Sequence, residues 1–151
     1  YKSPYGTSKK VNEATAYTTP FGINNQVGLR FTTVYGEGSR KTMFMGKLMR
    51  GELEYATNHV RDFIHVSDVV NAIMIFINTG TKGKLPAYNV GTGTGHIVSK
   101  LAQIKKPNIE IREGHECEAL DNTADNSDLR ALGWEPKINA RGYLQNDGNV
   151  L

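Results

Sequence analysis

Cysteine is almost absent from this sequence: Cys117 stands alone among 151 residues, so no disulfide can form within the chain. A chain without internal disulfides suits a reducing compartment, and a cytoplasmic location is expected. Long hydrophobic runs are also lacking. The longest, Val69 to Ile77, is interrupted by Asn71 and falls far short of the roughly 20 residues that cross a bilayer. No membrane partner is therefore expected, and no signal-peptide pattern opens the chain. Nor is there an excess of one charge: 18 Lys and Arg face 15 Asp and Glu, for a net charge of +3. The lysine doublets Lys9-Lys10 and Lys105-Lys106 have no aromatic residues between or beside them, which argues against a nucleic-acid surface. Of four histidines only His59 and His65 lie close together. No His/Cys/Asp pattern has zinc spacing, so no metal is expected. The chain also lacks an initiator methionine and is expected to be cut from something longer.

What is present suits one globular domain. Hydrophobic residues make up 38%, and 16 glycines bring the apolar share to that of ordinary folded proteins. Helical and strand-like patterns alternate, which predicts an α/β architecture. A helix is expected over 7–19, capped by Thr7 or Ser8 and stopped by Pro20. The β-branched and aromatic run 26–34 predicts a strand, followed by a loop at 35–38 and a short helix over 43–50. A strand at 62–66 leads into a helix over 67–78. Its Val69, Val70, Ile73, Met74 and Ile77 recur at helical spacing and predict burial. Asp68 is expected to cap that helix, His65 to satisfy a local hydrogen bond, and Trp134 to sit in the core. A strand at 87–90, a helix at 98–105, a strand at 109–111 and a turn or two at 128–131 follow, with Gly133 as the stop. Beyond Lys137 the chain is expected to fray.

The first chemistry candidate is Tyr5 with Lys9. Positions i and i+4 share a helix face, so a phenol and an ammonium can reach one ligand. A free tyrosine titrates near 10, and a neighbouring cation favours the phenolate, which makes proton abstraction from an alcohol feasible. The spacing alone is weak, since a chain with 7 tyrosines meets such pairs by chance. Arg61-Asp62 reads either as a phosphate-gripping arginine or as a surface ion pair. Gly91-Thr92-Gly93-Thr94-Gly95 follows a strand as a phosphate loop would. It is not G-x-G-x-x-G, however, because position 96 is His, and dinucleotide binding is not expected there.

Five segments in order carry a more specific signal. They are Ser3-Pro4-Tyr5-Gly6-Thr7-Ser8-Lys9, Leu29 to Gly36, Arg61 to Val70, Tyr88 to Gly93, and Ala124 to Ser127 with Leu132 to Lys137. Together they resemble the extended short-chain dehydrogenase/reductases, specifically the NAD-dependent nucleotide-sugar epimerases and dehydratases. The Gly28 to Gly36 phrase and Lys9 to Glu13 look most like UDP-glucuronate 4-epimerases. The resemblance implies the end of a Rossmann-like doubly wound sheet with the Tyr-Lys helix in residues 1–40, and mostly a small α/β substrate-binding part in 41–151. It implies NAD as cofactor and a UDP-type sugar nucleotide as substrate. By the same resemblance Tyr5 is the catalytic base and Lys9 its supporting cation, both also touching the cofactor. Phe31 and Thr32 pass the nicotinamide, Thr33 faces the sugar nucleotide, and Arg61 grips the diphosphate with paired donors. His115 falls where the family usually places a second phosphate-binding arginine.

The family's glycine-rich βαβ unit and its catalytic Ser/Thr do not occur in these 151 residues. The resemblance is thus to the C-terminal half of such an enzyme. The stretches 50–61 and 98–107 are short for the family, and the tail after Lys137 loses its pattern. Turnover by this chain alone is not expected. A half-sheet leaves an open strand edge and an apolar face, so a homo-oligomer is expected. The alternatives are a non-catalytic sugar-nucleotide-binding or self-assembling module, and a gene fragment without retained function.

Overall fold

In the computed structural model, residues 3–18, 26–79 and 86–150 are described. The expected Pro20 stop lies outside them. The first helix, α1 (Pro4–Thr18), begins earlier than expected. Ser3 is the reason: its hydroxyl accepts the Gly6 N–H at 3.1 Å, and its carbonyl takes the Thr7 N–H. Pro4 then occupies the first turn, where a missing N–H costs nothing.

The expected strand 26–34 is two strands, β1 (Gly28–Phe31) and β2 (Thr33–Tyr35), with Thr32 between them. Each half has a different partner. β1 pairs in parallel with β5 (Ala87–Val90), and the Thr32 N–H continues that ladder to Val90 O. β2 pairs in parallel with β4 (Val60–His65), which pairs antiparallel on its other side with β6 (Gly95–Ile97). A small parallel pair joins β3 (Tyr55–Ala56) to β7 (Glu110–Ile111). Among the described residues, β5 is the sole partner of β1.

Alternation along β4 separates two cores, because successive side chains point to opposite faces. Phe63 packs with Tyr35, Leu48, Leu101 and Leu144, while Ile64 packs with Val69, Tyr88, Leu129 and Trp134. Around the first core lie α2 (Phe44–Met49) and α4 (Val98–Lys105). The second is bounded by α3 (Val66–Thr79) and the short α5 (Ser127–Arg130).

Three expectations need correction. The tail past Lys137 folds into α6 (Ala140–Gln145), because Asn139 accepts the Arg141 and Gly142 N–H groups and Ala140 and Leu144 are buried. α3 is not buried all round: Val70, Met74 and Ile77 are 50%, 39% and 65% exposed. Their side of the helix has no described layer over it, whereas Val69 and Ala72 face the core. Asp68 does not cap α3. Its carboxylate accepts the N–H groups of Lys137 and Ile138, both at 3.0 Å, clamping the C-terminal segment onto the helix. Trp134 is core as expected, and its ring N–H donates to the Asp68 carbonyl.

Candidate functional site

α1 presents Tyr5, Lys9, Asn12, Glu13 and Ala16 along one face, the stripe that 3.6 residues per turn produces. Opposite them run β1 and β2, and between helix and strands lies an open cleft of about 1050 Å³. Arg30 of β1 bridges it with a forked ion pair to Glu13, whose carboxyl it holds below the usual carboxylate range. Tyr5 is 72% exposed, and the Lys9 ammonium sits 5.3 Å from its ring centroid. No described side chain of α1 is buried.

Phe31, Thr32 and Thr33 line the same cleft. Phe31 exposes about half of its ring. The Thr33 hydroxyl accepts from Asn122 Nδ2 at 3.3 Å. The Thr32 hydroxyl is buried and has no hydrogen-bond partner, an arrangement that costs free energy unless a ligand supplies one. Five of the expected site residues thus meet in one place.

Arg61 and His115 do not line this cleft. Arg61 reaches the Glu118 carboxylate at 3.0 Å, the Ala119 carbonyl at 2.7 Å and His59 Nδ1 at 3.3 Å. Its ion pair is therefore with Glu118 and not with Asp62. His115 is exposed, and its Nδ1 accepts the Cys117 N–H at 3.2 Å.

Asp62 was legible only as half of a surface pair, yet it is fully buried. Its two oxygens accept the N–H groups of Thr92, Gly93 and Ala124 and the Thr92 hydroxyl, at 2.6 to 3.2 Å. The glycine-rich loop therefore wraps an internal carboxylate, which occupies the donors a phosphate would use. Gly91 allows this close approach: a Cβ there would lie 2.6 Å from Asp62 Oδ2 and from Thr32 Cγ2.

His65 makes the expected local bond, with the Ser67 N–H donating to its Nδ1 at 3.2 Å. It packs between the rings of Tyr35 and Tyr143. Burial holds its imidazole below the ordinary 6.5, with the Asp68 carboxylate pulling the other way. The unfolded chain therefore takes up this proton first as pH falls, so His65 contributes stability that begins to be lost below about 6.5. His65→Gln should flatten the decline in melting temperature on acidification from about pH 7 to about pH 5. An unchanged slope would remove His65 from the account. Among the described residues no group of three or more His, Cys, Asp or Glu could hold a metal, and no helix is long and apolar enough to cross a membrane.

Residues 1–91 match the NAD dependent epimerase/dehydratase family. UDP-glucuronic acid decarboxylase 6 of Arabidopsis thaliana is 27% identical over 95% of this chain and 46% of its own length. UDP-glucuronate 4-epimerase 4 of the same plant is 29% identical over 95% of this chain and 40% of its own. Among solved structures, MoeE5 in complex with UDP-glucuronic acid and NAD superposes with a TM-score of 0.77 at 30% identity, covering 94% of this chain and 53% of that one. The chain thus spans about half the length of the relatives it matches.

Proposed function

Because the chain belongs to the NAD dependent epimerase/dehydratase family, we propose that it supplies the proton-transfer helix and the substrate wall of a nucleotide-sugar epimerase or dehydratase. The observation that carries this reading is the meeting of Tyr5 and Lys9 with Phe31, Thr32 and Thr33 around one cleft. The cleft fits the nicotinamide end of NAD: Phe31 offers an exposed apolar ring, Lys9 a cation for ribose hydroxyls, and Thr32 an unsatisfied hydroxyl. The glycine-rich βαβ unit that would hold the pyrophosphate does not occur in the sequence. When bound, NAD supplies hydride acceptance and return at the sugar C4.

Within that reaction Tyr5 removes the proton of the sugar hydroxyl and returns it, and Lys9 stabilises the phenolate. Thr33 faces the sugar, while Arg61 and His115 serve the diphosphate. Glu118 already engages Arg61, so diphosphate binding requires the guanidinium to be shared or released. Turnover from these 151 residues alone is not expected, because the sequence has no glycine-rich βαβ unit for the pyrophosphate. The exposed stripe of α3 supports a second copy as the cover in solution, which light scattering tests: a monomer at micromolar concentration would exclude it.

Calorimetry on the purified chain tests the functional reading. UDP-glucuronic acid should bind, and Arg61→Ala should weaken it on the order of 10-fold or more, the loss typical of a charge-assisted phosphate contact. UDP-sugar binding without NAD would favour a non-catalytic binding module, the reading that the occupied glycine loop supports. No binding of either ligand would end both.

A further inference from the structure

A second, smaller cavity of about 210 Å³ lies over Phe63 and shares no residue with the Tyr5–Lys9 cleft. Its polar rim comes from three separate pieces of chain: Thr94 and His96, Arg130, and Lys137 with Asn139. No Asp or Glu lines it. Among the described residues Arg130 and Lys137 have no ion-pair partner, nor does nearby Arg141; burial holds the His96 imidazole down, with the Asp62 charge pulling up and the Arg141 charge pushing down.

Among the described residues the two buried acids, Asp62 and Asp68, already accept hydrogen bonds. Asp62 is filled by the 92–93 loop and Ala124, and Asp68 by the N–H groups of Lys137 and Ile138. The same bonds hold the rim rigid: Asp62 holds the loop carrying Thr94, and Asp68 holds the backbone of Lys137. Arg130 donates its Nε–H to Asn126 at 3.0 Å, and Asn126 in turn bonds Gly91 O. The outer guanidinium nitrogens of Arg130 make no hydrogen bond among the described residues. Asn139 uses its oxygen to cap α6, which leaves its amide N–H groups as donors.

We infer that this cavity is an anion site for a phosphate group, bound between Arg130, Lys137 and His96. Unpaired cations on two rigid supports, with donors and no acceptor carboxylate facing them, match a tetrahedral oxyanion that accepts several hydrogen bonds. The volume lies below the roughly 300–1,000 Å³ that larger ligands occupy. A single phosphate fits that size and a nucleotide does not. The occupant is either inorganic phosphate or the phosphate end of a small monoester.

The test uses the whole 151-residue chain, titrated with inorganic phosphate against NaCl at matched ionic strength, and is read by thermal unfolding and by ³¹P line broadening. A saturable rise in melting temperature is expected, following the mass-action form for a ligand that binds only the folded state. Both cationic side chains are exposed, so R130Q/K137Q should fold normally by circular dichroism and bind phosphate on the order of 10-fold or more weakly. H96Q should weaken binding without abolishing it. K100Q, at an exposed lysine outside both cavities, should respond as the unaltered chain does. A phosphate response no larger than that of NaCl, or one retained in full by R130Q/K137Q, overturns the inference. So does its loss in K100Q. Methyl phosphate distinguishes the two sources: binding as tight as inorganic phosphate assigns a monoester, and its exclusion assigns the free ion.

Discussion

Asp62→Ala should unfold much of this protein at temperatures where the unaltered chain is native. Four donors converge on the buried Asp62 carboxylate through part-buried hydrogen bonds, three of them from backbone N–H groups. Alanine removes every acceptor at once, and each buried donor left unsatisfied costs about 1–3 kcal/mol. Water entering the space offsets part of that sum, so a net loss of about 4 kcal/mol is expected, at the upper end for single substitutions. Set against a total stability of about 5–15 kcal/mol, this is a large fraction. At roughly 2–4 °C per kcal/mol for a chain of this size, the melting temperature should fall by about 8–16 °C. Asp62→Asn keeps one oxygen but turns an amide toward the same donors, and should fall between. Glu116→Ala, at an exposed position, should stay within about 0.5 kcal/mol of the parent. An Asp62→Ala chain that melts within two or so degrees of the parent would show that the carboxylate does not hold the glycine loop in place.

The second large effect is on chemistry and not on stability. Tyr5 is 72% exposed, and among the described residues its ring has Lys9 beside it. Tyr5→Phe should therefore leave the unfolding transition unchanged within about 0.5 kcal/mol. In the protein complete with its NAD site, whether continuous with this chain or on another, the same change removes the hydroxyl that takes the sugar's proton. Turnover should fall about 10²–10⁴-fold, the range of a lost general base, with UDP-sugar affinity retained. Lys9→Met should lower turnover, because the face loses the cation that sits 5.3 Å from the Tyr5 ring. A Tyr5→Phe enzyme within a few fold of the parent rate would exclude Tyr5 as the base. Loss of sugar-nucleotide affinity with an unchanged rate constant would instead make Tyr5 a binding residue.

Local pattern carried much of this protein unaided. The strand Ala87–Val90 and the helix Val98–Lys105 fall where periodicity predicts, because each is a short segment with its own apolar rhythm. The family was legible too, from motifs whose order survives even where their spacing shrinks. The meeting of Tyr5 and Lys9 on one helix face needed only the 3.6-residue turn. Phe31, Thr32 and Thr33 were placed beside them by resemblance, and the parallel fold brings them to the same cleft.

Other features had no local signal. An aspartate beside an arginine reads as a surface pair until the loop 91–95 and the segment at Ala124 close over it. Asp68 stands where a cap would stand, but its partners lie about 70 residues away. The break at Thr32 is invisible in a uniform β-rich run, since it arises only because β5 takes one half and β4 the other. The exposed stripe of α3 has the same apolar spacing as a buried face, and only the absence of a described layer above it tells the two apart. Sequence alone determined most of the elements and the helix face that carries Tyr5 and Lys9, both set by interactions within a few residues. Tertiary structure decided which carboxylates are buried, which strands pair and which cations stay unpaired, because each of those depends on groups brought together from distant parts of the chain.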